Sequence, residues 1–405
     1  MSIADLKKSD TPRQRKTSVL HPSVMGRPSF GILSTFPPTA CGLATFAAAL
    51  AQGLSDVGID DIGVVRVSDD DSLVSDNRVV GQLRPHSAAS RMNAVRVLNT
   101  FDFVLIQHEY GIFGGEDGDE ILDVLAQLSS PAIVTLHTVP PQPTPRQKMI
   151  LEAIVELAAL TVTMTHIARR RLLSVCDVKR ERVVTIPHGA TLPRVTAPTS
   201  TPSSPMALTW GLLGPGKGIE WVIDALALVK DVTPPIKYVI AGQTHPKVLA
   251  NEGERYRTML QERAERLGVS SQVTFDPQYR SLPELLDLIA KATCVVLPYD
   301  STDQITSGVL VDAVVAGRPV VATAFPHAVE LLSNGSGMIV PHKDPSAIAA
   351  ALRSIATSPD LVDSMSLAAE ELAPAHNWMS VAARYVSQAS SRNASHLPSS
   401  AKLVM

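Results

Sequence analysis

The chain has 405 residues, 45% of them hydrophobic, and a formal net charge of −3 at pH 7. That length supplies two domains with full cores, and the near-neutral balance gives no electrostatic footprint for a nucleic-acid partner. Three cysteines, Cys41, Cys176 and Cys294, stand far apart without C-x-x-C spacing, which suits a reducing, cytoplasmic compartment better than a disulfide framework.

Residues 1–27 carry Lys7, Lys8, Arg13, Arg15, Lys16 and Arg27 against Asp5 and Asp10, without the apolar run of a secretory leader. They read as a disordered basic tail, with weak peripheral contact to an anionic inner membrane face as the alternative. No segment is apolar for long enough to span a bilayer. From 28 to 190, short apolar runs at 30–33, 62–67, 103–106, 132–136, 160–164 and 183–186 alternate with helical patterns. Such unbroken runs suit strands buried on both faces of a parallel sheet, so this stretch is expected to be a Rossmann-like α/β domain. Residues 191–206 hold Pro193, Pro198, Pro202 and Pro205 among Thr and Ser and read as a linker. A second alternating series follows between 207 and 372, with strands expected at 208–213, 238–241, 273–275, 294–297, 320–322 and 338–340. An amphipathic helix is expected over 378–389, and the Ser-rich end, 391–405, reads as disordered. Two doubly wound domains facing a cleft would bind a ligand between their strand C-termini.

Several segments at those ends can carry chemistry. Residues 303–323, D-Q-I-T-S-G-V-L-V-D-A-V-V-A-G-R-P-V-V-A-T, run from a polar loop through a short helix into a strand. Free N–H groups of Thr306, Ser307 and Gly308 at that helix N-terminus would favour a phosphate. Gly42 and Leu43, in C-G-L-A-T-F, could do the same at the start of a first-domain helix; a lone glycine there is more often a simple turn, and its position after the first strand is what raises the signal. Lys217, in G-L-L-G-P-G-K-G, is either a solvated loop lysine or a cation that reaches phosphate oxygens. His137 ends an expected strand, as do His108 and Glu109 in Q-H-E-Y-G-I-F-G-G, which lacks the second histidine of a zinc motif. Asp69, Asp70 and Asp71 follow another strand and read as a solvated acidic loop rather than cation ligands.

Residues 303–323 resemble the donor-sugar motif of retaining GT-B glycosyltransferases of family four (glycosyl transferases group 1), in which two acids bracket seven residues. Here the first is Gln304 and the second Asp312. Ile186-Pro-His-Gly189 is similar to the family's I-P-N-G turn, and residues 211–218 to its G-R-x-x-x-x-K-G, with Leu212 at the arginine. The resemblance covers roughly residues 28–389. It implies a retaining, metal-independent transfer of a hexose from a nucleotide-diphosphate sugar, of the GDP-mannose or UDP-glucose type, to a hydroxyl of a glycan or lipid-linked acceptor, with no further cofactor. By that resemblance the final helix, 373–390, crosses back to the first domain. Gly42, Leu43, Thr306, Ser307 and Gly308 would hold the diphosphate and Asp312 the ribose, while His137, Lys217 and Gln304 would be catalytic. Arg280 is the reserve cation, and His108 and Glu109 belong to the acceptor side or are a helix cap or loop staple. The departures at 304 and 212 suggest a non-catalytic sugar-nucleotide- or partner-binding protein as the rival, and the scaffold also admits a phosphorylase or an epimerase.

Overall fold

The computed structural model describes residues 27–70, 74–191, 204–278 and 280–396. Nearly all of the expected basic tail, Asp71, most of the expected linker and the end of the chain lie outside the described residues.

Seven parallel strands form the first sheet: β1 (Phe30–Ser34), β2 (Ile62–Val67), β3 (Val79–Leu83), β4 (Phe103–His108), β5 (Ala132–Leu136), β6 (Leu160–Thr163) and β7 (Val183–Thr185). Their order is β3-β2-β1-β4-β5-β6-β7. The second sheet holds β8 (Met206–Trp210), β9 (Lys237–Ala241), β10 (Val273–Asp276), β11 (Cys294–Leu297), β12 (Val320–Thr323) and β13 (Gly337–Val340), ordered β10-β9-β8-β11-β12-β13. Strands β1, β4, β5 and β6 are buried along their whole length, because helices cover both faces. On one face Val104, Val134 and Leu151 pack together, and on the other Phe30, Phe46 and Leu50. The second sheet is covered in the same way, by Ile223, Tyr238 and Leu352 on one side and by Leu208, Leu310 and Phe325 on the other. Strand order reverses between β1 and β4 and between β8 and β11, so each sheet opens a crevice at those C-termini.

Two differences from the sequence reading have simple causes. Strand β3, V-V-G-Q-L, carries too few apolar side chains to be noticed, because as an edge strand it is only partly covered. Strand β8 was expected at 208–213 but stops at Trp210, since Gly211 turns to φ 119°.

The last helix, Trp378–His396, runs past the boundary expected at 390 and lies on the first domain. Val381, Ala382, Tyr385 and Ala389 are buried in the core that contains Phe46 and Leu50. The approach is close: a methyl at Gly53 would lie 2.7 Å from the Trp378 carbonyl oxygen. The Tyr385 hydroxyl lies 2.8 Å from Thr135 Oγ1, so the helix is fastened by a buried polar pair as well as by area. No described helix is long and apolar enough to cross a membrane. Tyr385→Ala should therefore cost about 3–5 kcal/mol and Tyr385→Phe about 1–2 kcal/mol, read as shifts of the urea midpoint. Equal effects of the two would show that the hydroxyl, not the ring, holds the helix.

Candidate active site

The loop after β8 is shaped by a contact that only glycine permits. Gly218 sits at φ 67°, and a methyl on it would lie 1.8 Å from the Pro298 carbonyl oxygen at the end of β11. Two further bonds fix the same junction: Asp300 N–H donates to the Gly216 carbonyl (3.0 Å), and Trp221 Nε1–H to Asp300 Oδ1 (2.9 Å). The Lys217 backbone is thereby held at the β8/β11 switch point, with its ammonium 4.7 Å from the Tyr299 ring centroid. Tyr299 in turn stacks on Phe325 at 5.3 Å. A pocket of ≈ 430 Å³ opens here, lined by Gly216, Lys217, Tyr299, Asp300, Ser301 and Gln304. Two of the three residues expected to be catalytic, Lys217 and Gln304, share it.

Gln304 is fixed by its own loop. Its Nε2 donates to the Thr306 carbonyl (3.1 Å), and its carbonyl accepts from His327 N–H (3.2 Å). Three residues on, Ser307 caps the helix Gly308–Val315 by accepting Leu310 N–H on Oγ. The expected anion cradle needs one correction: Ser307 N–H is not free but donates to His327 Nδ1 at 2.8 Å. Burial, then His188 and His376, push that imidazole down to about 3, so it is neutral and accepts through Nδ1. Amide donors for an anion are left at Thr306 and Gly308, with the Thr306 hydroxyl, which is buried without a partner. Asp312 lies further along the helix. Burial without a neighbouring cation pushes its carboxyl up to about 7.

The first domain brings a set of rings to the same helix end. A methyl on Gly308 would meet His188 Cε1 and Nε2 at 3.0 Å. His188 Nδ1–H donates to the Gly189 carbonyl (2.6 Å), which leaves Nε2 as the acceptor; burial lowers this imidazole to about 4. Phe46 stands edge-on to His188 (5.0 Å) and to His137 (4.9 Å). His137 Nε2 pairs with Gln107 Oε1 at 2.9 Å, and burial pushes the ring down to about 3, with His188 and His108 adding to the effect. A neutral His137 donating through Nε2 keeps Nδ1 for a hydroxyl. Gly42 and Leu43 begin the helix Gly42–Asp56, capped by Cys41 Sγ, and the space beside Gly42 is open.

Other expected residues are placed elsewhere. His108 is fully buried, edge-on to Tyr110 and stacked on Phe113, with both ring nitrogens unpartnered, so it does not open onto the cleft. Glu109 accepts Thr138 Oγ1–H (2.6 Å) and Tyr110 N–H (3.0 Å), the geometry of a loop staple. Arg280 is paired with Asp276 (2.6 Å) and is not part of the pocket lining. Asp70 is held by Arg66 at 3.0 Å, and the described residues contain no group of three or more metal-ligating side chains. Sequence reasoning missed His188, His327, Tyr299 and Asp300 as site residues. The signals were the histidine in I-P-H-G and the position of residues 299–300 just past β11, at the switch point.

Against known proteins, residues 204–358 match the family model described as glycosyl transferases group 1. The D-inositol 3-phosphate glycosyltransferase of Streptomyces coelicolor is 31% identical over 179 residues, covering 43% of this chain and 37% of that protein. The chain thus spans little more than a third of the length of this curated relative. Among solved structures, Anabaena Alr3699/HepE in complex with UDP superposes with a TM-score of 0.71 at 17% identity, over 90% of this chain and 100% of that one. A glycosyltransferase from Rickettsia africae gives 0.72 at 12% identity, over 90% and 99%. These likenesses show the fold. The chain has the GT-B fold of two Rossmann-like domains, and residues 204–358 of its second domain match the glycosyl transferases group 1 model.

Proposed function

We propose that the protein is a retaining, metal-independent glycosyltransferase that moves a hexose from a nucleotide-diphosphate sugar to an acceptor hydroxyl. The carrying observation is that Lys217 and Gln304 share one pocket at the β8/β11 switch point. Transfer of this kind passes through an oxocarbenium-like state while negative charge grows on the leaving diphosphate, so the protein's main contribution is fixed positive potential. Lys217 supplies a mobile ammonium on a rigid backbone, and its contact with Tyr299 is weak enough, about 0.5–1 kcal/mol, to yield to phosphate. The remaining amides at Thr306 and Gly308 add helix-terminal donors. Gln304 would hydrogen-bond sugar hydroxyls, His137 would orient the sugar through Nδ1, and Asp312 would hold the ribose. Gly42 and Leu43 would meet the distal phosphate. The departing phosphate takes the acceptor proton, so neither a general base nor a metal is required.

The solved HepE complexes with UDP, and with UDP-glucose, make UDP-glucose the first donor to test, with GDP-mannose second. The name of the Streptomyces relative adds D-inositol 3-phosphate to glycan and lipid-linked hydroxyls as an acceptor. Product formation from either donor in the presence of EDTA supports this reading. Activity abolished by EDTA and restored by manganese overturns its metal-independence, and release of the sugar only onto inorganic phosphate makes the protein a phosphorylase.

Lys217→Ala should lower kcat by roughly a hundred- to a thousandfold, about 2.7–4 kcal/mol, because one side-chain cation serves the leaving group. Lys217→Arg should restore part of this, since a planar fork approaches phosphate differently from a point ammonium. A folded Lys217→Ala enzyme with more than about a tenth of wild-type turnover would place the diphosphate elsewhere.

Asp312 gives a pH signature. Burial raises its carboxyl to about 7, while ribose hydroxyls bind best to the ionised form. Donor KM should therefore rise as pH falls below about 7, approaching tenfold per unit, and level off above it. Asp312→Asn should show a high KM without this slope. A flat wild-type profile between about pH 5.5 and 8 would remove Asp312 from the ribose site.

A further inference from the structure

The segment that carries Gln304 has four successive carbonyl groups, and each has a specific partner. The Thr306 carbonyl accepts from the Gln304 side chain and the Gln304 carbonyl from His327 N–H, both within the second domain. The other two are held by one helix of the first domain, His166–Val175. Arg171 Nη1 donates to the Asp303 carbonyl at 3.0 Å, and Thr165 Oγ1, at the helix N-cap, donates to the Ile305 carbonyl at 3.0 Å. Gln304 is thus bracketed from across the domain boundary.

Two further contacts make this more than incidental packing. Glu330 of the second domain caps the same helix, taking His166 N–H on one oxygen (2.8 Å) and Ile167 N–H on the other (2.7 Å). A carboxylate on the first-turn amides is favoured by both the free donors and the helix dipole. Arg171 Nη1 also donates to the Val139 carbonyl (3.1 Å), two residues beyond His137. One guanidinium therefore joins the strand end that presents His137 to the loop that presents Gln304. Thr165 is 2% exposed, so its bond to Ile305 is shielded from water.

We propose that Arg171, Thr165 and Glu330 are positioning residues: the first-domain helix His166–Val175 clamps residues 303–305 and sets Gln304 against His137 when the domains are closed. The proposal rests on the glycosyltransferase reading for its kinetic consequence, but not for its geometry. Lys217 and Asp312, which serve the nucleotide end, lie on second-domain elements that the clamp does not touch. Loosening the clamp should therefore disturb Gln304 and the sugar end first, ahead of the Thr306 and Gly308 amides that follow it in the chain. Donor affinity should hold while turnover falls.

The variants are Arg171→Ala, Thr165→Val, their combination, Glu330→Gln and the conservative Arg171→Lys. Each is assayed with UDP-glucose and GDP-mannose at a temperature where circular dichroism shows it folded. Arg171→Ala and Thr165→Val should each lower kcat by about three- to tenfold, the scale of one lost hydrogen bond, with donor KM within about twofold. Arg171→Lys should recover part of the loss, because an ammonium can still reach one carbonyl. Small-angle scattering of the combined variant should give a larger radius of gyration than wild type, without ligand and with UDP or GDP. A folded combined variant with wild-type kcat, whatever its melting temperature, overturns the proposal, as does a rise in KM at constant kcat. Should the wild type transfer neither sugar, the glycosyltransferase reading fails by itself, and scattering still decides the clamp: an unchanged radius of gyration overturns it.

Discussion

The contact between Gly218 and the Pro298 carbonyl is the constraint on which the pocket depends. With a side-chain position 1.8 Å from that oxygen, only a residue without Cβ lets the loop after β8 settle on the end of β11. The bonds of Asp300 to Gly216 and Trp221 then become possible, and they place the Lys217 ammonium beside the wall that Tyr299 and Gln304 complete. A lysine on a mobile loop would lose part of its electrostatic value to reorganisation. Here the backbone is already in place and only the end of the side chain needs to move.

Burial, rather than pairing, sets the charge state of the histidines and of Asp312 around the cleft. His137, His188 and His327 are all depressed chiefly by desolvation, with His188 adding to the effect on the other two, and burial raises Asp312. The three histidines are thus neutral, and Lys217 is the cation in the pocket lining. An arriving diphosphate meets hydrogen-bond donors and one ammonium, beside the Asp300 carboxylate whose Oδ1 is taken up by Trp221 Nε1–H. The neutral histidines can accept as well as donate, which suits ring-hydroxyl recognition better than a field of fixed positive charge.

The sequence disclosed what depends on burial along a continuous stretch and hid what depends on tertiary approach. Buried strands such as β1, β4, β5 and β12 are legible because a strand covered on both faces must be apolar throughout. Strand β3 is not, because an edge position tolerates Gly81 and Gln82. Lys217 and Gln304 could be found from their place in loop–helix patterns. The loss of the Ser307 amide to His327 could not, because twenty residues separate them. His188 was visible as a letter, but its meaning required knowing that Gly308 stands against its ring. The clamp of residues 303–305 lies entirely in bonds between domains, for which no local pattern exists.

The two departures from the family motif now have different physical weights. Leu212 removes a cation that nothing in the pocket lining replaces, since Arg280 is paired with Asp276. The effect is to concentrate the leaving-group interaction on Lys217. Gln304 is another matter, because its amide N–H binds the Thr306 carbonyl at 3.1 Å. A carboxylate in that place would set oxygen against oxygen in a partly buried loop, with the repulsion and desolvation that entails. The amide is therefore the side chain that this loop conformation requires: one N–H holds the loop while the carbonyl oxygen and the second N–H stay available to a sugar. Coherence between residue and loop argues that position 304 is adapted to a ligand rather than decayed, and that its chemistry is hydrogen bonding instead of charge.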